Sequence, residues 1–396
     1  MKKKIISMLL IAVLLISSIS YVQAHEYPAS EDKYNNEILD YVENWVFDNY
    51  SEHYVLSDFS GHIVNIETNG DQIKALVPIV VFTTLRYDSV ESLPYMEGIK
   101  DRLNVSSLEK ALEETEMSKH ELSALSKANP DLSEGKINEL SSMLSSQYAD
   151  AAECIGVATE MALDFIVKAR IENNGIVDIK LYVDEAGTLN DAEKYIPKSS
   201  EALKSDGKAD IDSFISRDEL KNSPSSDKGY AAYNRINARD YALQYSSNAN
   251  KYCNCGKLYG VDYSCWNNAQ YPYTSSLCHN DCADFVSQAM HAGGIPIEPG
   301  VWDRFNDGNS GYGLYGGWTW TSVSALKEYM TAKGYWGEST FAACNAGNIL
   351  LTSESHITMV TLNDTVTHRY TAHTTDRHNY QFYYDSTYEY YTIKTA

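Results

Sequence analysis

Positive charge is what this chain has least of for its length. Its 32 Lys and Arg face 54 Asp and Glu, for a formal net charge of −22. The shortage is uneven: residues 25–227 carry 18 basic against 40 acidic side chains, whereas residues 228–396 carry 11 against 14. A front half so acidic repels phosphate-rich surfaces, which excludes nucleic acid and anionic lipid as partners and leaves the partner of that half open. Long apolar runs are missing after Ile19. Val77 to Leu85 is far too short to span a bilayer, so no membrane insertion is expected once the N-terminal segment is removed. Cysteine is almost missing from the front, where Cys154 stands alone; Cys253, Cys255, Cys265, Cys278, Cys282 and Cys344 all follow later. Paired C-x-x-C knuckles are missing as well. The cluster from Cys253 to Cys278, even with His279, therefore reads as disulfide-forming ahead of structural zinc.

What is present begins with an export signal. Lys2, Lys3 and Lys4 open it, Ile5 to Ile19 form its apolar run, and Val22-Gln23-Ala24 is a small-residue cleavage site. The expectation is a signal peptide over 1–24 and a secreted, extracellular product, with wall association left open. Export makes disulfides available, and at least one is expected among Cys253, Cys255, Cys265, Cys278 and Cys344. An odd total of 7 cysteines leaves one thiol over in any intramolecular scheme, as a cysteine nucleophile requires.

The remaining length exceeds one ordinary core and suggests two domains. Residues 25–196 read as an acidic α+β accessory domain. It contains an amphipathic helix over 36–49 (Ile38, Leu39, Val42, Trp45, Val46) and two strands around Asn69-Gly70-Asp71. A helix follows from Leu132 to about Glu172, opened by a capping box at Asp131–Glu134, and then a strand over 176–183. Its His53 and His62 have no catalytic spacing. Residues 197–228, rich in Ser, Lys and Asp, read as a solvated linker, and the run 205–212 lacks the glycine and glutamate of an EF-hand. Residues 229–396 hold five of the six tryptophans and 20 of the 31 tyrosines. Three helices (around 238–245, 282–292 and 322–332) precede strands at 348–352, 356–362, 367–373, 380–384 and 388–393. This order defines an α+β domain.

Chemistry centres on Asp281-Cys282-Ala283-Asp284-Phe285-Val286-Ser287-Gln288. Phe285, Val286, Ala289 and Met290 share one helical face, which places Cys282 in the first turn. Unpaired backbone N–H groups and the helix dipole stabilise a thiolate there. The bland alternative is a half-cystine. A base is also needed, and of six histidines in this region His356 opens an alternating strand, while His279, His291, His368 and His378 have no comparable setting. A turn centred between Asp364 and Thr365 would set His356 opposite His373, on one side of the sheet. Trp318 and Trp320 alternate around Thr319 and would point to one face of a strand, as core or as a substrate-groove wall. The tyrosines of the last strands read as packing ahead of sugar stacking.

Four stretches together resemble a known family: Tyr233-x-Arg235-x-x-Ala238-x-x-Tyr241-Ala242; Asp281-Cys282-x-x-Phe285-Val286-Ser287-Gln288; His291-Ala292-Gly293-Gly294; and Gly317-Trp318-Thr319-Trp320-Thr321-Ser322-Val323. They are similar to the amidase domain of Gram-positive bacteria, grouped with the papain-like thiol amidases and peptidases that include NlpC-type and CHAP cell-wall hydrolases. The resemblance covers about 229–396. It implies a papain-like domain, with a nucleophile helix packed on an antiparallel sheet. Cys282 is its nucleophile, His356 its base and His373 the orienting residue. It also implies an amide substrate, with peptidoglycan peptide as the expected class, and no metal or organic cofactor. The backbone N–H of Cys282 would serve the oxyanion. Asp284 stands where many members carry Asn, and Asn348 where an Asp often precedes the histidine strand. Two rivals stay open: a catalytically silent secreted binding or adhesion protein with Cys282 as a half-cystine, and a thiol acyltransferase or transamidase.

Overall fold

A computed structural model of the chain describes residues 34–113, 133–185, 188–216, 233–246, 251–252, 258–259, 282–303, 318–353, 355–374 and 377–394. The expected signal peptide, the Cys253–Cys278 cluster and His279 lie outside the described residues. Cys154 and Cys344 are buried thiols outside any disulfide, so the expected disulfide rests on the four cysteines from 253 to 278.

Helix α1 (Asn35–Tyr50) buries Ile38, Val42, Val46 and Tyr50, a stripe at four-residue spacing. Helix α2 (Pro94–Leu103) starts on a proline, whose missing N–H costs nothing in a first turn, and stops at left-handed Asn104. Helices α3 (Leu108–Glu113) and α4 (Glu134–Cys154) follow, the latter capped by Ser133, whose hydroxyl accepts the Lys136 N–H at 3.2 Å. Helix α5 spans Ser200–Ser216 and α6 spans Arg235–Gln244. Helices α7 (Cys282–Ala292), α8 (Trp318–Thr321) and α9 (Val323–Ala332) complete the set among the described residues.

The strands of the front half are β1 (Tyr54–Gly61), β2 (Asn65–Asn69), β3 (Gln72–Leu85), β4 (Thr159–Glu172), β5 (Gly175–Glu185) and β6 (Thr188–Asp191). A small hairpin, β7 (Lys251–Tyr252) with β8 (Leu258–Tyr259), precedes β9 (Trp336–Glu338), β10 (Ile349–Ser353), β11 (His356–Asn363), β12 (His368–Ala372), β13 (Arg377–Phe382) and β14 (Glu389–Ile393). The main sheet runs β1-β3-β4-β13-β12-β11-β10-β14-β9, with β2 on β3 and β5–β6 branching from β4. Its pairs are antiparallel except β13–β4, which meet in parallel at Tyr380↔Ala162. The class is α+β with a mixed sheet.

The β4–β13 seam joins the front half to the back half. The Tyr380 hydroxyl accepts the Asp164 N–H at 2.8 Å and donates to the Asp184 carbonyl at 2.9 Å, and buried Arg377 pairs with Asp164 at 2.9 Å. The strands β10–β14 then have two covers. Ile349, Leu351, Ile357, Met359, Tyr391 and Ile393 pack with α7 and α9. Leu350, Val360, Tyr370, Phe382 and Tyr390 share a core with the front half.

Three expectations change. The helix expected from Leu132 to Glu172 ends at Cys154; Gly156 turns at φ 70°, and β4 takes the rest. Met161, Ala162, Leu163, Phe165, Ile166 and Val167 are all buried, and burial at consecutive positions leaves no period to separate strand from helix. The expected linker is helical over Ser200–Ser216, with Leu203, Gly207, Ile211 and Phe214 buried. Its weak apolar content suffices because Gly98 and Gly207 let α2 and α5 touch backbone to backbone. A Cβ at Gly207 would lie 2.2 Å from the Tyr95 carbonyl oxygen. The Trp318–Thr321 stretch is a helical turn, not a strand.

Candidate active site

Cys282 is the first residue of α7 and is buried, with a thiol rather than a disulfide. The helix forms because Phe285, Val286, Ala289 and Met290 are fully buried against the sheet, and its chain turns away at Gly294, with φ 110°. The Cys282 Sγ lies 3.8 Å from the carbonyl oxygen of Ser355, the residue before His356. Its backbone N–H donates to Thr374 Oγ1 at 3.2 Å, one residue beyond His373. The helix start thus meets the chain beside both histidines.

The hairpin register differs from expectation. His356 opposite His373 would require Met359 opposite Tyr370; instead Met359 faces Thr371, and Val360 faces Tyr370. The turn explains the slip. Asn363 Oδ1 accepts the Thr365 N–H, and Asp364 Oδ1 accepts those of Val366 and Thr367 at 3.0 and 2.7 Å. This side-chain scaffold makes a four-residue loop closed by Asn363↔His368, with left-handed Thr365 inside it. An irregularity between Val360 and Leu362 adds to the shift.

Strand alternation then separates the two rings. Ile357 and Met359 belong to the α7 face, so His356, with Val360, belongs to the other. His373 sits on the α7 face, fully buried and stacked on Phe285 at 4.1 Å between ring centroids. Its Nε2 donates to the Tyr245 carbonyl at 2.6 Å. His356 is held down to about 4 by burial and then by the positive charge of Arg377, and is neutral near pH 7.

The other candidates have structural partners. His291 Nδ1 meets the Ile295 carbonyl at 2.9 Å, and His378 Nδ1 meets Ser246 Oγ at 2.8 Å. His53, fully buried, bridges the Tyr87 hydroxyl and the Lys198 carbonyl. Trp320 is fully buried against Trp302, which makes it core and not a groove wall. Its Nε1–H donates to Asp284 Oδ1 at 2.5 Å, and the same oxygen accepts from Gln288 at 3.2 Å. Asp284 thus ties α7 to α8, a role for which a carboxylate serves as well as an amide oxygen. Of Trp318 only the backbone is described.

Residues 232–395 match the family model described as a putative amidase domain. This stretch belongs to that family. The match supports a general amidase function, that of a hydrolase whose substrate is an amide. No curated protein and no solved structure matches the chain. No helix among the described residues is long and apolar enough to cross a membrane.

Sequence reasoning did not find Ser355, Thr374 or Tyr245, which surround the Cys282–His373 region. Their signal is tertiary: each contributes a carbonyl or hydroxyl, groups that every neighbourhood of the sequence also offers.

Proposed function

We propose that this protein is a secreted thiol amidase or peptidase that hydrolyses an amide bond, with peptidoglycan peptides as the substrate class and a papain-like arrangement of α7 on the antiparallel strands. Cys282 attacks the carbonyl, an imidazole of the β11–β12 hairpin takes its proton and returns it to the leaving amine, and water resolves the thioester. The observation that carries the reading is the amidase-family match over 232–395, together with a thiol on the first residue of α7 beside both histidine-bearing ends of the hairpin. The positive end of the α7 dipole favours the thiolate over the thiol. For the Cys282 N–H to serve an oxyanion, the Thr374 hydroxyl must give way to substrate.

The family resemblance makes His356 the base and His373 its orienter. The observed register favours a second assignment on the same chemistry. His373 shares the α7 face with Cys282, and the Tyr245 carbonyl fixes its tautomer, as an orienting group does for a base. Incubating the protein with purified cell-wall peptides, and identifying new amines and carboxylates by mass spectrometry, tests the activity. A single Cys282 thiol that reacts with iodoacetamide supports the enzyme over the silent binding protein. Product that appears only when an amine is added would instead point to acyl transfer.

A further inference from the structure

Thr374, directly after His373 at the end of β12, has a left-handed backbone with φ 83°. A β-branched residue is rarely found there, because its side chain crowds the backbone, and residues so held cluster at functional sites. The conformation coincides with a contact to the nucleophile: Thr374 Oγ1 accepts the backbone N–H of Cys282 at 3.2 Å. We propose that Thr374 is a further catalytic residue, whose hydroxyl is a second hydrogen-bond donor to the oxyanion formed on Cys282. The inference rests on the amide-hydrolysis reading above and adds a named group to it.

The step that needs a donor is the first. Cys282 Sγ forms a bond to the carbonyl carbon, the C=O π pair moves onto oxygen, and the imidazole holds the thiol proton. When that pair returns, the C–N bond breaks and the amine leaves with the imidazole proton. Between the two steps one oxygen bears a negative charge beside a buried cysteine. Donors within about 2.7–3.1 Å of that oxygen stabilise it, and an oxyanion has room for more than one. Cys282 opens α7, so its N–H has no acceptor within the helix. The Thr374 hydroxyl lies beside that N–H with a proton to give. A hydroxyl both accepts and donates, so the oxygen that takes the N–H in the resting site can turn its own proton to a stronger acceptor. The spacing allows both bonds at once. Two donor atoms 3.2 Å apart form the base of a triangle, and an oxygen about 2.8 Å from each sits at its apex. Giving way to substrate is then a tilt of the N–H and a rotation of the O–H. Thr374 keeps its proton throughout.

Two readouts on the full chain test this. With cell-wall peptides, Thr374→Val should lower kcat by about 10-fold or more with KM within about 2-fold, and Thr374→Ser should recover most of the loss. Thr374→Gly, which suits a left-handed backbone, is a second hydroxyl-free variant and should match Thr374→Val. The other readout needs no turnover. N-acetyl-alanyl trifluoromethyl ketone adds to the Cys282 thiol as a hemithioketal: the S–C bond forms and the thiol proton is released. Fluorine NMR against pH then reads the ionisation of the adduct oxygen. That oxygen should ionise about one pH unit or more lower in the parent than in either hydroxyl-free variant, with Thr374→Ser close to the parent. Cys282→Ala should form no adduct. Adducts that ionise alike in the parent, Thr374→Val and Thr374→Gly overturn the proposal. So does a parent that forms no adduct, a kcat loss that Thr374→Ser shares in full, or a kcat that rises without the hydroxyl. A parent that cleaves no peptide, yet whose adduct shows the shift, sinks the peptide reading and leaves the Thr374 assignment standing.

Discussion

The two faces of strands β10–β14 are covered differently. One face carries Ile349, Leu351, Ile357 and Met359 and is closed by helices of the same amidase region. The other carries Leu350, Val360 and Tyr370 and is closed by strands and helices of the acidic front half. The first cover is mainly apolar, and its buried Asp284, Ser287 and Gln288 find their partners within the amidase region. The second is threaded with buried polar groups: Arg369, fully buried, donates to Thr83 Oγ1, Thr159 Oγ1 and the Glu160 carbonyl, and Tyr54 donates to Asp364 at 2.9 Å. A covering unit that merely protected the sheet could be apolar throughout. Polar groups satisfied only across the seam fix one docking geometry, because any shifted arrangement leaves a buried donor or acceptor unpaired.

The largest effect should come from removing the second cover. The charge step in the sequence suggests that residues 229–396 fold alone, but the shared sheet and core argue the opposite. That fragment is expected to lack a cooperative thermal transition and to bind hydrophobic dye. A melt like that of the full chain would break the comparison outright.

On the other face, Cys282→Ser should lower turnover by about 10⁴-fold or more, with an unchanged melting temperature, because a serine hydroxyl is far harder to ionise than a thiol. Parent-like activity with altered disulfides would make this cysteine structural.

Next is the clamp between the halves. Asp150 of α4 is buried, pairs with Arg235 of α6 and accepts the Ala346 N–H at 2.6 Å. Asp150→Ala should cost about 3 kcal/mol in urea unfolding, since it strands a partly buried cation and an amide. A loss within measurement error would mean that the seam is held by packing alone.

The histidines sharpen the role of each face. His356→Ala should reduce activity by roughly 10²-fold if it is the base, with His373→Ala costing less. The reverse order would establish the assignment favoured by the register. Equal losses at His291 or His378, with both of these dispensable, would move the base elsewhere.

The pH dependence belongs to buried rings on both sides of the comparison. Burial lowers His368 to about 3, and His356 and His378 to about 4, from 6.5. Between the folded and unfolded values the unfolded chain binds more protons. Each ring therefore destabilises the fold as pH drops below about 6.5, by up to about 1.4 kcal/mol per pH unit, until the folded value is reached. Urea unfolding at pH 7 and pH 5 should show the decline, and His368→Phe should reduce it by about a third, the other two rings supplying the rest.

Much of the architecture is legible in local pattern. The stripe of α1, the Gly70-Asp71 turn between β2 and β3, the α7 start at Cys282 and all five strands from β10 to β14 follow from residues near one another in the chain. Local sterics and period-2 or period-3.6 burial act over a few residues, so a single sequence records them. Harder to read were β4, whose burial on both faces erases its period, and α5, whose packing depends on two glycines about a hundred residues apart.

The sequence by itself determined that a thiol opens an amphipathic helix, that a histidine opens a strand, and that the last third is the amidase region. Tertiary structure alone decided the register of the two histidines, that Thr374 meets the helix start while the Tyr245 carbonyl holds His373, and that the acidic half completes the sheet. A side-chain scaffold in one turn, made by Asn363 and Asp364, shifts the hairpin by a residue. In a strand, a shift of one residue moves a side chain to the opposite face of the sheet.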